Sequence, residues 1–284
     1  MRRLSRIALF AVLSTGALSP WSPPAAAQAP AKARAKGRTA PAPALDVVAQ
    51  RRRLLGADDA QAADAARALG QAGAPTSAHD ALLDGLAAGL APAAAAAAVT
   101  ALAAAPAPAD VAMLRAYAGH RDAAVRVAAL TTLGGYPAAD ARRLLVDALG
   151  DRQAPVRHAA AMALARSRVK DGLDRMLALL DKSDAAGIDG LAAMADVALA
   201  QTLSQRTSTT PAPALARCLG AILRRSDFGP DEARLELVRA LGQIQAAEAL
   251  AELTEYVART PAKPALSSRR EAESIVTARR GGGS

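Results

Sequence analysis

Leucines that close alanine-rich segments recur at Leu69, Leu102, Leu133, Leu164, Leu199 and Leu241, at intervals of 33, 31, 31, 35 and 42 residues. A unit of this length cannot bury an apolar face by itself and must stack on a neighbour, so the period restricts the chain to a repeat array. A second segment in each unit carries its own apolar stripe: Leu82, Leu83 and Leu86; Val111 and Leu114; Leu145 and Leu149; Leu173, Met176, Leu177 and Leu180; Leu250, Leu253 and Val257. Spacings of three and four residues place each stripe on one face of a helix, facing the core. Aromatic residues make up only 2% of the chain. Its helices must therefore meet through alanine and glycine, not around a thick aromatic core. The expected class is all-α, an α-solenoid of about six stacked antiparallel helix pairs, at one pair per repeat.

Helix punctuation agrees. Pro92, Pro108, Pro137, Pro213 and Pro230 stand where helices would begin, at positions where a missing N–H costs nothing. Gly70, Gly119, Gly134 and Gly150 stand where helices would stop. Ser77 to Asp80 reads as a capping box opening the second helix of the first unit. The array is expected over residues 45–258.

Two units carry a fuller signature: Asp122, Val125, Arg126, Ala129, Leu133 and Gly134, then Asp151, Val156, Arg157, Ala160, Leu164 and Ala165. Here the chain resembles the HEAT family, in particular the short bacterial HEAT-like repeats also found in phycobilisome lyase subunits. An aspartate at such a turn can cap the helix that follows or pair with a neighbouring unit's arginine, whose guanidinium can span the seam with two hydrogen bonds. The resemblance implies that Asp122, Arg126, Asp151 and Arg157 form a structural repeat ladder, kept short because other units lack the pair. It also suggests two functions besides binding: a lyase or chaperone-type protein acting on a tetrapyrrole or another protein, and a nucleic-acid-binding HEAT protein.

The N-terminus has a three-part layout. Arg2, Arg3 and Arg6 precede an apolar run from Ile7 to Leu18, Pro20 breaks it, and Ala25, Ala26 and Ala27 supply small residues at cleavage spacing. This is the pattern of a secretory signal peptide over residues 1–27, cut after Ala27, and its apolar run is too short to anchor the chain across a membrane. Residues 28–44, rich in Ala, Pro and basic side chains, are expected to be a disordered linker. Residues 259–284 are expected to be a basic, disordered tail. The chain is thus expected in the periplasm or outside the cell, with no transmembrane segment in its mature form. Cys218, the single cysteine, cannot form an internal disulfide there and reads as a small buried residue of a helix.

The net charge of +9 suggests nucleic acid until it is located along the chain. Residues 1–53 hold ten basic side chains against Asp46 alone, and residues 259–284 hold six against Glu271 and Glu273. The remaining 19 basic and 23 acidic side chains leave the expected body slightly acidic. That body lacks the charge of a phosphate-binding groove, so no nucleic-acid partner is expected, and the basic ends are left as weak contacts for anionic surfaces.

Catalytic chemistry finds no purchase. His79, His120 and His158 are isolated from one another, with no paired histidines on one helical turn and no cysteine cluster. No nucleophile stands in a recognisable setting, and the turn from Asp181 to Asp184 lacks the ligand spacing of a calcium loop. No enzyme, cofactor or metal is expected. What remains is an exported protein–protein interaction or scaffold module for an unknown protein or peptide, an acidic one being favoured. Its contacts are expected off the apolar stripes of the second helices, at Arg115, Arg142, Arg143, Asp147, Asp174 and Arg175, a set dominated by arginine and placed on the concave side or its rim.

Overall fold

The computed structural model describes residues 45–71, 73–264 and 266–281. The leader and linker expected over residues 1–44 lie outside the described residues. Among these there are fifteen α-helices and no strand.

The helices alternate between two layers. The first layer stacks α2 (Asp59–Leu69), α4 (Pro92–Ala101), α6 (Ala123–Leu133), α8 (Ala154–Arg166), α10 (Ala185–Met194), α12 (Ala212–Leu223) and α14 (Ala247–Arg259), each on the next. The second layer contains α1 (Val47–Leu54), α3 (Thr76–Ala88), α5 (Asp110–Ala118) and α7 (Ala139–Ala148), stacked in that order. It continues with α9 (Leu173–Asp181) and then α11 (Val197–Ser204), α13 (Asp231–Gln243) and α15 (Ser267–Gly281), the last three again in sequence. This is an α-solenoid of antiparallel helix pairs. Its core runs between the layers and is built from Leu69, Leu102, Leu133, Leu164, Leu191, Leu219 and Leu253 on one side and Leu82, Leu114, Leu145, Met176, Leu203 and Leu237 on the other.

Small residues set the spacing of the first layer. A Cβ added at Gly134, which ends α6, would lie 2.9 Å from the Ala163 Cβ of α8. The glycine lets consecutive helices approach to a distance that a leucine seam would prevent.

The leucine period also slips. Leu164 lies on α8 but Leu199 lies on α11, three helices later. Helices α9, α10 and α11 are only 9, 10 and 8 residues long, so they fit within an interval that elsewhere holds one pair. From there on, Leu199 and Leu241 mark the second layer, and the stripe of Leu250, Leu253 and Val257 belongs to the first.

Asp58, Asp122 and Asp184 cap α2, α6 and α10, their carboxylates accepting N–H groups of the next turn. The capping box expected from Ser77 does not form: α3 starts at Thr76 after Pro75 with no side-chain cap, and His79 turns to a different partner.

The array extends beyond residue 258, and the expected disordered tail is corrected: residues 267–281 form α15, packed on α13 and α14. Ser268, Ala272 and Val276 are buried. The Tyr256 and Ser268 hydroxyls are hydrogen-bonded at 2.7 Å, and the Ser267 N–H donates to Asp231 at 2.7 Å. The four-residue spacing of those buried positions is a helical stripe, outweighed in the sequence by the surrounding arginines. Residues 45–281 therefore carry 28 basic and 26 acidic side chains, close to neutral and not acidic.

Candidate interaction surface

The arginine ladder occupies the first-layer seams. Arg126 on α6 donates from Nε and Nη2 to the two carboxylate oxygens of Asp151 at 2.9 and 3.0 Å, the forked geometry that only arginine supplies. Its Nη1 donates to the carbonyls of His120 and Arg121, closing the turn that leads into its own helix. Arg157 repeats the arrangement one unit on, with both Nε and Nη2 on Asp184 and Nη1 on the carbonyls of Asp151 and Arg152. Asp151 also receives the Gln153 N–H, so it holds the turn that leads into α8 while bridging the seam. Burial opposes ionisation of Asp151, but its hydrogen bonds from Arg126 and Gln153 and the guanidinium charge outweigh that, holding its carboxyl below the usual 3.8. Asp122 caps α6 through the Ala124 N–H, and α4 offers it no arginine. The ladder thus has two rungs, and Asp184 is a member that the sequence did not single out.

Related arginines continue the theme further on. Arg206 places Nη2 on both oxygens of Asp181 at 2.9 and 2.7 Å, with the Thr210 hydroxyl also donating to that carboxylate. Arg225 donates to the carbonyls of Ala192 and Ala195. The two aspartates of the turn 181–184 are therefore both committed to arginines of other elements.

The second-layer residues meet different fates. Arg115 donates to Asp140 at 2.9 Å, Arg143 lies 3.8 Å from the same carboxylate, and Arg175 donates to the Val146 carbonyl and reaches Asp147 at 3.4 Å. All three arginines are more than half exposed. Asp140, absent from the expected set, neutralises much of what would be a positive strip, and Asp174 is exposed on α9. Arg142 differs from its neighbours in being half-buried, with an Nε–H that is enclosed and meets no acceptor.

A buried polar tie was not visible in the sequence. The Asp110 carboxylate, fully buried, pairs with His79 Nε2 at 3.0 Å and accepts the Tyr136 hydroxyl and the Ala107 N–H, both at 2.8 Å. Burial first, and then the hydrogen bond to Asp110, push the Tyr136 hydroxyl's pKa upward. Both carboxylate oxygens are filled from within the protein, so the group fastens α3, α5 and the α6–α7 turn together. His158 pairs with Asp189 at 3.0 Å, and His120 accepts the Asp122 N–H and stacks on Tyr117. Among the described residues no three histidine, cysteine or acidic side chains converge on a common point. Cys218 is fully buried on α12, its thiol pushed up to about 12 by burial and then by the charge of Asp189. Among the described residues no helix is long and apolar enough to cross a membrane.

Residues 111–195 match the family of HEAT repeats. The matched stretch runs from α5 to α10 and contains Arg126, Asp151, Arg157 and Asp184 of the ladder. Similar solved structures include the complex of CpcE and CpcF of phycocyanin lyase from Nostoc sp. PCC7120, at 16% identity and a TM-score of 0.46, covering 90% of this chain and 99% of that one. Another is an engineered protein, at 21% identity and a TM-score of 0.31, covering 84% of this chain and 98% of that one. No curated protein matches.

Proposed function

We propose that this chain is an exported protein–protein interaction module, a HEAT-repeat scaffold that holds a protein or peptide partner and performs no reaction itself. One observation carries the reading. The polar side chains that could have formed a reactive cluster are instead spent on joining helices, as in Arg126 with Asp151, Arg157 with Asp184, and Asp110 with His79 and Tyr136. Rigid stacking of this kind presents a long series of helix ends and outer faces in fixed register, suited to many weak contacts with one extended partner. Arg115, Arg143, Asp147, Asp174 and Arg175 form the charged outer face available for such contacts, with Arg142 recessed among them. Export rests on the leader pattern of Arg2, Arg3, Arg6 and the run from Ile7 to Leu18, with the mature chain beginning at Gln28.

The test is capture from the native host. The tagged chain should be recovered from the periplasmic or secreted fraction with an intact mass starting at Gln28, and should retain a stoichiometric protein partner through a salt wash. Charge reversal of Arg143 and Arg175 together should lower that recovery. A full-length chain in the cytosolic fraction would overturn export, and turnover of a small molecule by the purified chain would overturn the scaffold reading.

A further inference from the structure

The loop from α6 to α7 and the loop that follows α8 enclose a cleft of about 470 Å³, lined by Gly134, Tyr136, Pro137, Arg142, Leu145, Ser167 and Val169 among others. Its size falls within the range of ligand pockets, roughly 300–1,000 Å³. Its walls are apolar except for three side chains. The Tyr136 hydroxyl donates to Asp110, and the Ser167 hydroxyl donates to the Gly134 carbonyl at 2.8 Å. The backbone N–H groups of Gly134, Gly135, Tyr136, Arg142, Ser167 and Val169 are likewise bonded, to carbonyls at the ends of α6 and α8 or at the start of α7. Arg142 alone of the three polar side chains has unfilled donors, and its enclosed Nε–H meets no acceptor.

That is an unusual condition for this protein. Arg126, Arg157, Arg206, Arg225 and Arg234 are half-buried or buried like Arg142, and each is satisfied by a carboxylate or by carbonyls. Buried donors without an acceptor are costly and uncommon in folded proteins; the Nη groups of the same guanidinium are not enclosed, bond to no described residue, and are the donors a ligand in the cleft can reach. A guanidinium with five N–H groups in a fixed fork selects a planar anion with two oxygens. Two carboxylates of the adjoining elements are engaged elsewhere, Asp110 with Tyr136 and His79, and Asp140 with Arg115 and Arg143.

We propose that this cleft is a carboxylate-binding subsite, in which Arg142 takes the side-chain carboxylate of a partner peptide while Tyr136, Pro137, Leu145 and Val169 cover an apolar residue beside it. The assignment deepens the interaction reading above and rests on it, since it supplies one anchor of the contact. The occupant is an acidic residue next to an aliphatic one. Charge complementarity fixes the first, and the apolar walls fix the second.

The test uses the full chain and two short peptides that differ in one group, acetyl-Leu-Glu-amide and acetyl-Leu-Gln-amide. Titration is followed on the Arg142 Nε–H and Tyr136 ring resonances. The glutamate peptide should shift both signals saturably and bind at least tenfold more tightly than the glutamine peptide. Arg142→Gln should abolish the difference. Arg142→Lys, which keeps the charge and loses the fork, should retain a weaker preference, and neither variant should melt below the parent, because the side chain makes no bond to a described residue. Equal binding of the two peptides, no shift of either resonance, or a glutamate preference that survives Arg142→Gln would each overturn the subsite. Partner capture from the host reads out separately, so a failed subsite with intact capture leaves the interaction reading standing.

Discussion

Replacing Arg126 by alanine removes one side chain and strands several groups at once. The guanidinium is 8% exposed and the Asp151 carboxylate 17%, so neither partner of the pair is well screened by water. Without Arg126, Asp151 keeps the Gln153 N–H but loses its two charged donors, and the carbonyls of His120 and Arg121 lose theirs. Removing one member of a buried, hydrogen-bonded pair costs about 3–5 kcal/mol, and water entering at the partly open Asp151 side should bring this towards about 3 kcal/mol. Urea unfolding followed by circular dichroism should therefore show Arg126→Ala less stable by about that amount, or about 6–12 °C lower in thermal midpoint. Arg143→Ala, in a side chain 74% exposed, should cost no more than about 0.5 kcal/mol. The difference is also pH-dependent. Asp151 ionises below its ordinary 3.8 in the folded protein, so its contribution is complete above that value and is lost as pH falls through the lower folded value. The gap between parent and Arg126→Ala should be constant from pH 5 to 8, on the estimate of an unperturbed aspartate near 3.9, and shrink below about pH 4. Two equal melts at pH 7, or a gap that widens in acid, would refute the assignment of the seam to this pair.

Ending the chain at residue 264 should remove α15, uncover Tyr256 and Asp231, and lower the thermal midpoint by on the order of 10 °C; an unchanged melt would mean that the helix does not close the array. The Cys218 thiol should resist a disulfide reagent in the native state at pH 8, since it is fully buried and raised to about 12, and should react at the rate of global unfolding. Fast labelling of folded protein would contradict the packing of α12.

The fold was legible where a period was strong and regular. Leu69, Leu133 and Leu164 fall on the first-layer helices α2, α6 and α8, and Leu102 caps α4 between them, because each interval holds one complete pair. The reading slipped at Leu199 because three short helices fit into 35 residues, and a leucine marks a helix without saying in which layer that helix lies. The tail was misread for an energetic reason. Net charge reports solvation of the outer face of α15, while membership in the array depends on Ser268, Ala272 and Val276, too few and too small to dominate a compositional count.

The candidate site was less legible, because ion pairing in a stacked array is decided by units and not by segments. Arg126 could be placed at a seam from its signature, but its acceptor, Asp151, lies 25 residues away, and Arg157 finds Asp184 27 residues away. The same geometry decides which charges are free. Arg115, Arg142, Arg143 and Arg175 look equivalent in sequence, yet Asp140 and Asp147 approach three of them from neighbouring turns and units. The fourth is turned into a cleft whose other polar groups are already satisfied. An array built on alanine has little side-chain bulk with which to fix the angle between units, so directional arginine bonds supply what packing elsewhere would supply. In such a protein an arginine without an acceptor stands apart from its structural neighbours, and this gives Arg142 a meaning that its position on a charged helix face could not.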